Sequence, residues 1–187
     1  MKNSKFFKAK LILSLAFVAS LFFTGCQQSS DDSQTSDQGT SGEQQSTEIP
    51  SIHGTWVSSF GEKYVIDLDN KTFTNYWKDS EGYSEGYAGS IWIIKTYWYD
   101  DDEYSTEGDI IMKYTRSMNS DYTYSETAPD VGKYYIVHYS DLTTNSVKIS
   151  GAYKEGGKTS TDRPSGAMME FTEDNGYFSA YSECVKQ

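Results

Sequence analysis

The chain has 187 residues, with 16 basic side chains against 27 acidic ones and a formal charge of −11 at pH 7. That balance excludes a nucleic-acid surface, which needs clustered Lys and Arg, and it argues against charge-driven docking on anionic lipid. The chain opens with Lys2, Lys5, Lys8 and Lys10, followed by a nearly unbroken apolar run from Leu11 to Phe23. A basic head, a short apolar stretch and then small residues is the layout of an export signal. The run is too short for a permanent membrane span, which takes about 20 apolar residues.

The stretch Leu21-Phe22-Phe23-Thr24-Gly25-Cys26 ends that run on a thiol. It resembles the lipobox of bacterial lipoprotein signals, with Phe23 where that pattern usually has Leu. The resemblance implies cleavage after residue 25, lipidation of Cys26 by a thioether-linked diacylglycerol, and Cys26 as the mature N-terminus. A thiol is nucleophilic enough for that bond, provided it reacts as the thiolate. It further implies a palmitate-bearing anchor in the bacterial cell envelope, and Gln27 in place of Asp favours the outer membrane over the inner one. Removal of residues 1–25 leaves 12 basic and 27 acidic residues, a formal −15. With Cys26 alkylated, Cys184 has no partner for an intrachain disulfide. It reads as a small buried hydrophobe, or else as a thiol pairing between molecules.

Residues 26–49 form a lipidated tether. Positions 27–49 are almost wholly Ser, Thr, Gln, Gly, Asp and Glu, a composition that cannot bury enough apolar surface to offset chain entropy. A coil of that length reaches roughly 25–30 Å. From residue 50 to 187 the composition changes, and all 4 Trp and all 16 Tyr lie there. This is enough chain for one domain and not for two.

Within that domain, strands are expected at Gly54–Ser59, Lys63–Asp67, Thr72–Trp77, Ser90–Tyr99, Asp109–Thr115, Lys133–Tyr139, Ser146–Tyr153 and Tyr177–Ser182. They are rich in β-branched and aromatic residues. Asp69-Asn70-Lys71 has hairpin-turn chemistry. Ser165 to Gly176 reads as a short helix, with Pro164 ahead of an N-cap Ser165 and Gly176 as its C-cap. The expected class is all-β: an antiparallel up-and-down barrel of about eight strands with one short helix near the C-terminus, closure removing the sheet edges. A β-sandwich is the alternative.

Gly54-Thr55-Trp56 on the first strand resembles the G-x-W signature of lipocalins and related calycin barrels, and a late helix before a final strand matches their layout. The resemblance covers most of residues 51–184. It implies that Trp56 closes the base of a barrel beneath a basic residue near the end of the last strand. Glu183 and Cys184 stand there, with Lys186 the nearest base.

No catalytic constellation stands out, and no cofactor or metal site is expected. His53 and His138 read as polar strand positions. Asp100-Asp101-Asp102-Glu103 lacks the spacing of a calcium loop and reads as a solvated tip. The expectation is a non-enzymatic binding module. Taking the charge-free face of each strand as inward gives an interior of Trp56, Tyr64, Ile66, Phe73, Trp92, Ile94, Trp98, Ile110 and Met112. A small hydrophobic ligand would then sit against Trp56, Trp92, Ile94, Trp98 and Met112. The alternative is a filled barrel that meets another macromolecule through tyrosine-rich loops at 117–131 and 154–164.

Overall fold

The computed structural model describes residues 48–98 and 104–187. The expected signal, Cys26, the tether up to residue 47 and the Asp100–Glu103 run lie outside the described residues. Nine strands follow in order: β1 Gly54–Ser58, β2 Glu62–Asp67, β3 Thr72–Lys78, β4 Tyr83–Tyr97, β5 Glu107–Met118, β6 Tyr124–Ser125, β7 Tyr134–Ser140, β8 Ser146–Gly151 and β9 Ser182–Lys186. A single helix, α1, spans Pro164–Glu170.

Each barrel strand pairs antiparallel with the next, and β9 returns to β1 through Trp56↔Lys186, Val57↔Val185 and Ser58↔Cys184. Pairing of β4 with β5 completes a closed eight-stranded barrel, and β6 is a short extra strand on β5. The architecture is the up-and-down barrel of the lipocalin layout, and closure sets aside the sandwich alternative. The β2–β3 turn forms where expected. Lys71 takes φ 54°, and the Asp67 carboxylate accepts from the Asn70 backbone N–H at 2.9 Å and its amide at 2.7 Å.

Antiparallel order puts two sets of loops at opposite ends. The start of β1 and the β2–β3 and β7–β8 turns lie at the base, while the loops after β1, β3, β5 and β8 lie at the mouth. At the base, Trp56 is fully buried and its indole N–H donates to the Ile52 carbonyl at 2.8 Å. The Lys186 ammonium lies 5.4 Å from the Trp56 ring centroid. The β1–β9 register is what brings Lys186 over Trp56.

Four expectations are corrected. Trp92 and Trp98 are not interior residues: they are 61% and 62% exposed. Bulges in the β4–β5 ladder at Ala88/Gly89 and Ile91/Ile93 break strict alternation. An extra residue at a bulge re-aims the side chains that follow it. Ile91 is buried opposite Met112 and Ile94 faces Ile110, while Trp92 sits in the bulge and packs edge-on against Tyr134 at 6.0 Å. Trp98 lies one residue past the end of β4.

The helix is shorter than expected. Arg163 is its N-cap, with Pro164 and Ser165 inside the first turn, and it ends at Phe171. Proline at the first helical position suits its fixed φ and missing N–H. Gly176, at φ 78°, serves a later turn in which its N–H donates to Glu173. The closing strand runs Ser182–Lys186 rather than 177–182, because its register is set by β1 and β8. Finally, β4 begins at Tyr83, seven residues before the expected start.

Both faces of β5 and β7 are buried. Ile110, Met112 and Val137 point into the barrel, while Ile111 and Ile136 are equally inaccessible on the opposite face. The second layer comes from α1, which packs on these two strands, and from the segment after it. Phe178 lies 5.2 Å from the His138 ring.

Candidate functional site: a tyrosine-lined cavity at the mouth

A cavity of about 600 Å³ lies against β1, β8 and β9, with Val57, Lys148 and Val185 in its lining, and two smaller ones lie at the mouth end of the barrel. One cavity of about 370 Å³ is bounded by Glu62, Tyr64, Trp77, Tyr87, Tyr135 and Ile149, among others. A second, of about 470 Å³, is bounded by Tyr87, Tyr114, Ser117, Tyr124, Asp130 and Tyr135, among others. Both share Tyr87, Tyr135 and Tyr153.

The walls are built by strand alternation. Tyr114 and Tyr135 stack at 5.0 Å with an interplanar angle of 26°. Tyr87 meets them edge-on, at 6.3 Å from Tyr114 and 5.6 Å from Tyr135, and stacks on Phe73 at 5.7 Å. Offset and edge-to-face contacts are the geometries ring quadrupoles favour. Gly151 on β8 keeps the space open, since a Cβ there would fall 2.7 Å from the Tyr135 hydroxyl and 2.9 Å from that of Tyr87.

Burial first, and the neighbouring tyrosines after it, push the Tyr87 and Tyr114 hydroxyls well above the usual phenol range. These groups stay neutral. The Tyr135 hydroxyl donates to the Ala152 carbonyl at 3.0 Å. At the rim, burial raises the Glu62 carboxyl, against hydrogen bonds from Tyr64 and Ser58 that lower it, and the Ser182 hydroxyl donates to Glu62.

Among the described residues, three side chains carry buried polar atoms without a partner: Arg116 through Nε, Ser117 and Asn75. Ser117, 3% exposed, lines the larger cavity with its Oγ unpaired. Asn75 is fully buried with both amide atoms unpaired, opposite Tyr64 in the β2–β3 ladder. Buried polar groups without partners are rare enough that each calls for a physical reason.

The residues expected to hold a ligand are not the ones that line this cavity. Trp56 is sealed at the base, Ile94 and Met112 pack in the wall and core, and Trp92 and Trp98 face out. Of the wider expected interior, Tyr64 alone borders a mouth cavity. Tyr87 carries no strand signal in the sequence, because the segment Ser84 to Ser90 is rich in Gly and Ser and has little strand propensity. Tyr114 was legible, on the same face as Ile110 and Met112.

Two histidine environments complete the inventory. On the outer wall, His138 Nδ1 lies 2.8 Å from Asp109 Oδ1, and the Tyr97 hydroxyl donates to the other Asp109 oxygen at 2.5 Å. Lys95 in turn donates to Tyr97 at 3.0 Å. This chain borders a cleft of about 250 Å³ closed by Phe171 to Asp174 and Phe178. At the base, ligand atoms of His53, Asp67 and Asp69 come within 4.8 Å of one another, the one such trio among the described residues. His53 Nδ1 already accepts from the Leu68 N–H at 3.1 Å. Cys184 is a buried free thiol, pushed up to about 12 by burial and by Glu62.

No family model, curated protein or solved structure matches the chain. The class is defined by the fold itself: a closed antiparallel eight-stranded barrel with one short helix, lipocalin-like in layout, with a tyrosine-lined mouth.

Proposed function

We propose that the protein is a lipid-anchored binding protein of the bacterial cell envelope, held to the membrane through Cys26, whose barrel takes up a small, largely apolar molecule at its mouth. The observation that supports this reading is the pair of cavities sharing Tyr87, Tyr135 and Tyr153. Their size falls in or near the range of about 300–1,000 Å³ in which small-molecule sites occur, and such sites are mostly apolar with a few placed polar groups. The acidic tether from residue 27 gives the barrel reach from the membrane surface. The role is uptake and holding rather than catalysis.

The test is calorimetric titration of the full-length chain with a panel of aromatic and aliphatic molecules. Saturable binding that is lost in Tyr87→Ala, with the fold intact, supports a carrier. An absence of binding across the panel overturns it. The anchor has its own test: a labelled fatty acid should mark the protein in cells, and Cys26→Ala should remove the label. Label that persists in the variant refutes lipidation at that residue.

A second reading, contact with another macromolecule, is favoured by the outward Trp92, Ile93 and Trp98, which are 50% or more exposed on or beside β4. It predicts that Trp92→Ser leaves small-molecule uptake unchanged while weakening that contact.

A further inference from the structure

The polar groups at the mouth narrow the ligand further. Ser117 reaches the larger cavity because of the β4–β5 bulge: Ala88 pairs with Arg116 and Gly89 with Tyr114, so Thr115 is the extra residue and the inward phase shifts to Ser117. Its hydroxyl is nine-tenths buried, borders the cavity and has no partner. A hydroxyl in that position costs stability in the empty protein unless something hydrogen-bonds to it.

Charge excludes two classes of occupant. Neither Lys nor Arg borders either mouth cavity among the described residues. A carboxylate would be desolvated among neutral tyrosines, with Glu62 and Asp130 as its nearest charged neighbours. An organic cation finds the Asp130 carboxylate already taken by Lys133, Thr159 and Ser160, at 3.0, 2.6 and 2.7 Å, and the Glu62 carboxylate already accepting from the Ser182 hydroxyl. What remains is an uncharged molecule. The stacked Tyr114 and Tyr135 pair, with Tyr87 edge-on to it, offers offset and edge contacts that a flat ring matches and an alkyl chain does not.

We infer that the molecule taken up at the mouth is an uncharged, flat aromatic compound carrying a hydrogen-bonding substituent, a phenol or an aromatic amide, with that substituent seated against Ser117. The inference rests on the mouth being a binding site at all, and the test separates the two.

Calorimetry on the full-length chain with 2-naphthol, naphthalene, 2-naphthoate and 1-decanol decides it. 2-Naphthol should bind about tenfold more tightly than naphthalene, the effect of one added hydrogen bond. Ser117→Ala should bring 2-naphthol down to the naphthalene level and leave naphthalene unchanged. The melting temperature of the empty variant should be equal to or above that of the parent, because an unsatisfied group has been removed. Should Ser117→Ala fail to fold, Ser117→Cys carries the same comparison with a weaker donor of similar size. Equal affinities for 2-naphthol and naphthalene, or a preference that survives at residue 117, would mean that water alone serves Ser117 and would overturn the inference. Tightest binding of 1-decanol or 2-naphthoate overturns the ligand class while leaving uptake at the mouth standing. Binding of none of the four overturns both.

Discussion

The two ends of the barrel solve the same packing problem in opposite ways. At the base a single large side chain, Trp56, fills the lumen, has its one donor satisfied by Ile52 and is roofed by Lys186. At the mouth several tyrosines line the lumen without filling it, and Ser117 stays unpaired, as does Asn75 opposite Tyr64 in the β2–β3 ladder. Interiors are normally packed to crystal density with few voids. A barrel that is tight at one end and open at the other concentrates its stability in the first and its capacity for binding in the second.

Substitutions at the two ends should therefore differ in kind. Trp56→Ala removes a fully buried aromatic and leaves a hole that the closed wall cannot collapse, for an expected loss of about 3–5 kcal/mol. Urea unfolding should show a lower midpoint with an unchanged slope. A shift within error would mean that the base carries no more of the stability than the mouth.

Gly54→Ala probes the same end through the backbone. Gly54 has φ 135°, a conformation that L side chains rarely adopt, and its Cβ would lie 3.0 Å from Lys186 Cε. The expected loss is about 1–3 kcal/mol, read in the same unfolding experiment. A neutral outcome would show that β1 can re-enter the barrel at a different angle.

Opposite Tyr64, which borders a mouth cavity, Asn75→Ala should cost less than about 1 kcal/mol, because the lost packing is offset by removal of two unsatisfied atoms. A loss matching that of Trp56→Ala would erase the contrast between the ends.

The smallest effect concerns Glu62 at the rim. Burial raises its carboxyl above 4.5 in the folded state. A raised acid favours the protonated form, so its unfavourable contribution is absent below the unfolded value and grows as pH rises through the folded one. Glu62→Gln should raise the melting temperature slightly at pH 7, and the gap should close below pH 4. A gap of constant size across that range would mean that the hydrogen bonds from Tyr64 and Ser182, rather than desolvation, govern Glu62.

Much of the fold was legible because its cause is local. Alternation in β2, β3 and β5 assigns Tyr64, Ile66, Phe73, Ile110 and Met112 to the inside, and all five are buried. Gly54-Thr55-Trp56 marks the base correctly, and Asp67 to Lys71 forms the expected turn. Alternation failed where a partner strand overrides it. Trp92 and Trp98 follow the period of β4 on paper, yet a bulge changes the phase, and a bulge depends on the match between two strands rather than on either alone. The site was less legible than the fold. Of its lining, Tyr64 and Tyr114 could be placed by period, whereas Tyr87 lay in a Gly- and Ser-rich stretch and Tyr135 on a strand buried on both faces, where alternation does not show.

The sequence by itself determined the strand content, the turn chemistry and the aromatic supply, because propensity and period-two burial act within a few residues. Only the tertiary structure decided which aromatics meet. Closure of β9 on β1 put Lys186 over Trp56, and the register of β4 against β5 turned Trp92 outward and Ser117 inward. Those outcomes depend on pairings between residues far apart in the chain. No local pattern encodes them, because the ladder fixes every side chain's face only after both strands are in place.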